Sequence, residues 1–404
     1  MALIDVVNLN ADASCLASAK WLRCLEGGRD SIVMCVLRGY AEHRRKVNLG
    51  VVGATACDLA AFNPEAIDFI NEHDDVFEIV PRPFAHDNAL LRLPAGFRWN
   101  VERGLAVLRR HFRRVSDFYL APENMVTGGQ IRILRELGLR GIFLHKGRYD
   151  VSVNRHVPDV PFELRGVFGT PLLCVPFAAA ELEAAYLRGL HGTVAAEGWA
   201  AAARERAREQ CVIWRDGESC LLHPLAPHNE ERMLAAEAAA GVERAFLSEL
   251  EVPRQPPAPR DGVLRYLPLH SMRPWMEAMK LVWFITRVQL VEQQLEQQPE
   301  AVKQLWLMTI NSDILSAAEK SPPVVDVSDD VLRADGADPL WEGVLPLPES
   351  RQLILTRSER AGEGEDYLSY LDEVMSGRTS LDALCAQWRA SRESHLRKAA
   401  ARLC

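Results

Sequence analysis

The sequence lacks the signals that mark several large functional classes. It has no Gly-rich phosphate loop with a Lys, no dinucleotide fingerprint and no clustered Cys/His spacing for a metal. A Ser nucleophile on a Gly-x-Ser-x-Gly elbow is also missing. No cofactor is therefore expected. The nine cysteines include no Cys-x-x-Cys pair, and an odd count in 404 residues does not suggest a disulfide framework. An excess of positive charge is missing too. Lys plus Arg number 47 against 55 Asp plus Glu, a formal net charge of −8, which argues against nucleic acid or an anionic membrane as partner. No internal repeat is visible.

Two further absences bear on location. The most apolar late segment, "LVWFITRVQLV" (281–291), is short and contains Arg287, so it is no membrane span. The opening "MALIDVVNLNADAS" carries Asp5 within its apolar stretch and has no basic leader, unlike a signal peptide. A soluble, reduced, cytoplasmic protein is expected. Basic runs do occur at "HRRK" (43–46) and "RRHFRR" (109–114). The second closes an amphipathic helix with an apolar stripe at Val101, Leu105, Leu108 and Phe112. Cations suit a helix C-terminus, so the run reads as a solvated face.

What the chain does have is an α/β rhythm. "DFYLAPENMVTGGQIRILRELGLRGIFLH" (117–145) reads as strand, turn, helix and second strand. Phe118, Tyr119 and Leu120 favour pleated backbone, and Pro122 stops the ladder because it has no N–H to donate. Gly128 and Gly129 open a turn, Ile131, Leu134 and Leu137 follow at helical spacing, and Gly138 supplies the C-terminal cap. Strands are also predicted at "LIDVVNLN", 46–54, 76–87, 169–177 and 211–219, with helices at 64–73, 100–113 and 178–209. This pattern predicts an α/β fold: an incomplete (β/α)7-type barrel over residues 1–255. A proline-rich linker at 252–262 precedes a helical domain at 263–320, packed beside the cleft, and a charged C-terminal extension at 321–404.

Polar residues collect where these strands end. They are Asn10 and Asp12, His86 and Asp87, Glu123, then Asp216 and Glu218. Each has a bland alternative. Asp12 could cap a helix, His86-Asp87-Asn88 could form a turn, and Asp216-Gly217 is a common turn signal. Their repeated position favours a site, because ligands bind at the carboxyl ends of parallel strands. Glu123 and Asp216 form a natural pair for glycoside chemistry: one attacks the anomeric carbon or activates water, and the other protonates the leaving oxygen. Trp214 could stack on a sugar ring, although a buried strand aromatic is the commoner role.

The block "YLAPENMVTGGQIRILRELGLRGIFL" resembles the Trp-Leu-Pro-Glu block of glycoside hydrolase family 57. "VIWRDGESCLLHP" resembles that family's Asp-x-Glu block, and "RPFAHDNALL" its third-strand His block. The resemblance extends over about 320 residues in order and spacing. It implies a retaining enzyme on an α-linked sugar or α-glucan, with Glu123 as nucleophile and Asp216 as acid/base. His86, Asp12, Asn10, Trp214 and Glu218 would then bind substrate. Two departures stand out. The family's His-x-His at the first strand is replaced by Asn10-Ala11-Asp12, and Ser219, Cys220 and Leu221 follow Glu218 where an aromatic and Gly are usual. An altered sugar subsite is implied.

Two other classes compete. A metal-dependent carbohydrate deacetylase would use Asp12 and His86 as ligands, yet position 90, one turn after His86, is Leu rather than a second His. A non-catalytic glycan- or partner-binding relative would have no chemical need for both Glu123 and Asp216. In the helical segment, Trp275, Trp283 and Trp306 are expected as core anchors, with Asp313 reaching the cleft.

Overall fold

In the computed structural model the chain is described over residues 2–9, 18–144, 160–166, 169–177, 180–190, 192, 195–208, 211–217, 226–254, 256–257, 279–310, 363–364 and 366–403. β1 (Leu3–Leu9) leads to α1 (Ser18–Leu25) and α2 (Ile32–Glu42), and β2 (Val47–Val51) to α3 (Gly53–Phe62) and α4 (Pro64–Glu72). Next come β3 (Phe77–Pro81), α5 (Pro94–His111), β4 (Phe118–Tyr119), α6 (Gln130–Glu136) and β5 (Gly141–Leu144). β6 (Phe162–Arg165) and β7 (Pro171–Pro176) precede α7 (Ala180–Leu190) and α8 (Ala196–Ala207). β8 (Cys211–Asp216), α9 (Ala226–Ala239) and β9 (Arg244–Ala245) follow. Later helices are α10 (Met279–Glu292), α11 (Glu300–Thr309), α12 (366–375), α13 (Leu381–Arg389) and α14 (Ser394–Leu403).

Local chemistry explains several boundaries. Ser31 caps α2 by accepting the Met34 N–H at 3.2 Å. Proline opens α4 and α5, where its missing N–H costs nothing. Gly138 ends the turn after α6 in the left-handed region at φ 82, as its position predicts. The single helix expected at 178–209 is two helices, and Gly192, at φ 71, turns the chain between them. The stripe Val101, Leu105, Leu108 and Phe112 is buried, while Arg109, Arg110 and Arg113 are exposed.

Parallel pairing orders the first sheet β3-β2-β1-β8, with β9 on the start of β1. The second sheet runs β4-β5-β7-β6, and only β6 is antiparallel. The two are joined at one edge. Ile79 of β3 bridges Val115 in parallel, and the Leu120 N–H donates to the Pro81 carbonyl at 3.0 Å.

Strand alternation then separates two faces. Ile4 and Val6 of β1, Val80, Phe118, Leu120, Phe143, Val175 and Val212 converge in one buried cluster. With Ala245 of β9, seven strands from both sheets supply it, so the walls curve around a common interior. The Phe143 and Phe177 rings stack there, 5.0 Å apart. The opposite faces of β1, β2 and β3, through Val7, Leu9, Leu49, Val51 and Ile79, meet the surrounding helices. The arrangement is barrel-like.

The C-terminal helices join that outer core. Trp306 of α11, Trp388 of α13 and Ala399 of α14 lie in the same cluster as α1–α4. The buried Asp58 carboxylate accepts Arg402 Nε at 2.8 Å and Nη2 at 2.6 Å, and the Trp21 indole at 2.9 Å. Trp306 is thus the core anchor expected; Trp275 lies outside the described residues. Cys24, Cys35, Cys57, Cys174 and Cys211 form no disulfide, whereas Cys385 is in one, which the cysteine spacing did not foretell. Among the described residues no helix is long and apolar enough to cross a membrane.

Candidate active site at the strand exits

Registers fix which residues share one level. Asn8 of β1 faces Asp216 of β8 on one side and Gly50 of β2 on the other, and Gly50 faces Val80 of β3. Asn8 follows Ile4 and Val6 on the inner face by alternation, and position 216 follows Val212 and Trp214. Arg82, buried, donates from Nη1 to Asn8 Oδ1. This crossing needs a residue without a side chain beneath it. A Cβ at Gly50 would lie 2.6 Å from Leu120 and 3.6 Å from Arg82. Gly217 is constrained in the same way: its N–H donates to the Asn8 carbonyl at 2.8 Å, and a Cβ there would sit 2.6 Å from Val7. The Asp-Gly pair therefore does more than turn the chain. It keeps the exits of β1 and β8 in contact.

Glu123, placed by its backbone, lies in a single 3-10 turn, Pro122–Asn124, directly after β4. The turn is closed by the Asn124 N–H to the Ala121 carbonyl and the Met125 N–H to the Pro122 carbonyl, both 3.0 Å. Asn124 is buried at φ 49, in the left-handed region that Asn tolerates better than most residues. Its Oδ1 is buried without a hydrogen-bond partner. Asn124→Ala should cost about 1–3 kcal/mol in urea unfolding, through left-handed strain. Asn124→Gly should cost clearly less, since glycine adopts this φ freely.

His86 is buried, in the segment between β3 and α5. Its neighbour Asp87 turns to a charge cluster. Arg92 Nε lies 3.1 Å from Asp87 Oδ2, and Arg92 Nη1 lies 3.2 Å from Glu292 Oε2. Burial pushes the Asp87 carboxyl up to about 8, with Arg92 opposing and Glu292 adding to the rise. Burial likewise raises Glu292 to about 7, again opposed by Arg92. In both groups burial outweighs the opposing guanidinium. Trp214 is half-buried against the inner cluster.

Asn10, Asp12, Glu218 and Asp313 lie outside the described residues. Among the described residues no three His, Cys, Asp or Glu side chains are grouped to hold a metal. Two inner-face residues escaped the sequence reading. In the sequence Asn8 is one residue of the predicted strand "LIDVVNLN", and Arg82 only opens "RPFAHDNALL". Their signal was a polar side chain at an inward parity, visible only once the face is known.

No family model matches the chain, and no curated protein sequence matches it. Solved structures do. The glycoside hydrolase family 57-type branching enzyme of Pyrococcus horikoshii aligns with a TM-score of 0.55 at 10% identity, over 99% of this chain and 94% of that one. An alpha-mannosidase of Enterococcus faecalis aligns at 0.53 and 12% identity, over 92% of this chain and 43% of that one. The 4-alpha-glucanotransferase of Thermococcus litoralis aligns at 0.50 and 14% identity, over 88% of this chain and 53% of that one, so this chain spans about half its length. At such identities the shared property is the fold. The chain has a glycoside hydrolase family 57-like fold.

Proposed function

We propose that the chain is a carbohydrate-active enzyme that cleaves or transfers an α-linked sugar, with Glu123 as nucleophile and Asp216 as acid/base. The observation that carries this reading is positional. Position 216 ends β8 beside Asn8, and position 123 follows β4, whose exit is hydrogen-bonded to that of β3. Both candidate carboxylates thus belong to the carboxyl ends of parallel strands around one interior, where this class of fold hosts chemistry. Among the enzymes of similar fold, one is named a 4-alpha-glucanotransferase, one a branching enzyme and one an alpha-mannosidase, which supports a carbohydrate substrate. On this reading residues 1–255 form the incomplete (β/α)7 barrel, 263–320 narrow its mouth and 321–404 extend it.

His86, Asn10, Asp12, Trp214, Glu218 and Asp313 would hold the sugar. A retaining mechanism requires the Glu123 and Asp216 carboxyls about 5–5.5 Å apart, against about 6.5–9.5 Å for an inverting pair. Product stereochemistry distinguishes the two. Purified protein incubated with a panel of α-glucans and α-glycosides should release or transfer sugar, with the α-anomer appearing first in NMR spectra. Initial β-product would replace retention by inversion. Acetate release from acetylated glycans, lost on chelation and restored by zinc, would establish the deacetylase instead. Binding without turnover would establish the non-catalytic relative.

A further inference from the structure

We propose that Arg92 is the positioning residue of the site's rim: by holding Asp87 and Glu292 at once, it docks α10 onto the segment that carries His86. This proposal rests on the glycosidase reading for its effect on substrate, though not for the docking itself. Asp87 and Arg92 come from one short segment, Glu292 lies 200 residues beyond Arg92, and all three are buried. Asp87 follows His86 directly, and Glu292 is the last residue of α10. Arg92 spans them with different atoms, Nε toward Asp87 and Nη1 toward Glu292. A planar guanidinium suits such a double engagement; a point-charge ammonium does not.

Surrounding contacts point the same way. The second oxygen of Glu292 accepts the Leu93 N–H at 2.7 Å, just before α5 begins. Gln289 of α10 donates to the Leu91 carbonyl at 2.9 Å. The Arg92 guanidinium lies 5.8 Å from the centre of the Trp306 ring, and the Trp306 indole donates to the Val288 carbonyl at 3.2 Å, so α11 backs the contact. Gly96 completes the fit. A Cβ there would collide with the Glu292 carboxylate and approach the Trp306 ring to 2.7 Å. The groups facing Asp87 are Arg92, Glu292 and, through space, Tyr119. Position 86 is therefore tethered through Asp87 to a helix outside the sheets.

Two variants attack this tether from opposite sides. Arg92→Met removes the cation, and Gly96→Ala crowds Glu292 and the Trp306 ring without substituting Arg92 or Asp87. Hydrogen exchange on the full chain should show backbone amides of 86–93 and 285–292 losing protection at least about tenfold in both variants, with β1 and β2 unchanged. Arg92→Lys should recover only part of it. On whichever glucan the native protein accepts, KM should rise about tenfold while kcat changes less than about threefold, as expected when substrate-holding groups loosen without losing the reacting pair. Unchanged protection in both variants, or loss spread evenly over the chain, would overturn the proposal. Local loss of protection in a protein inactive on every glycan would uphold the docking and discard only the glycosidase reading.

Discussion

Glu123→Gln should lower turnover of an accepted α-glucan by about four orders of magnitude or more, because an amide oxygen cannot form the glycosyl ester. Asp216→Asn should behave differently. General acid–base assistance contributes about 10²–10⁴-fold, and a substrate with a very good leaving group needs little protonation in its first step. Such substrates should be partly spared in Asp216→Asn. Added azide should then attack the glycosyl-enzyme without base help, expelling the Glu123 carboxylate and giving a glycosyl azide of retained configuration. Initial rates for substrates of graded leaving-group quality, with and without azide, check both roles. Equal and unrescued loss in the two variants would leave the pair without distinct functions.

Asp5→Ala should destabilise the fold by about 3–5 kcal/mol, the usual result of removing one partner from a buried ion pair. Asp5 is fully buried on the outer face of β1, where Arg215 Nε donates to Oδ1 at 2.8 Å and Arg244 Nη1 to Oδ2. Arg244 also reaches Glu237 at 2.7 and 2.8 Å, while Arg215 reaches Glu230 at 3.0 Å and the Tyr40 hydroxyl. Arg45 closes on Glu237 at 3.0 Å. Three guanidiniums thus face three carboxylates, and the network is formally neutral. Without Asp5, Arg215 and Arg244 lose the carboxylate between them.

The same network sets an acid limb. Burial pushes Asp5 up, but Arg215 and Arg244 outweigh it and hold its carboxyl below the ordinary 3.8; Glu237 is lowered for the same reason by Arg244 and Arg45. Folded groups with depressed values contribute stability above the unfolded value, and that stability is lost as pH falls through the folded one. Native protein should therefore lose stability as pH drops below about 3.8, and Asp5→Ala should lose less over the same range. Urea midpoints across that range test it. A loss at neutral pH under about 1 kcal/mol would mean that the network contributes little cohesion.

Much of the fold was legible because its causes are local. The 117–145 unit follows from Pro122, the Ile131 and Leu134 spacing and a left-handed Gly138, all within a few residues of the structure they impose. The exposure of Arg109, Arg110 and Arg113 was equally readable, since helical period and dipole are properties of one segment, whereas Arg114 turns to Ser248 and the Phe246 ring. The strand exits at 123 and 216 were also found from the sequence, because strand ends carry turn residues.

Partners were a different matter. In the sequence Asp5 was only a charge inside an apolar strand. Tertiary structure gives it two arginines, 210 and 239 residues away. Asp87 looked like a turn residue, and folding commits it to Arg92, which also meets Glu292 200 residues further on. Asn8 and Arg82 are recognisable as inner-face residues only once seven strands share one interior. The physical reason is one of range. Alternation, caps and helical spacing are written in neighbouring residues, so the sequence by itself determined the elements and the ends at which a site would lie. The cost of burying a charge depends on what other segments bring beside it, so only the tertiary structure decided which charges face each other.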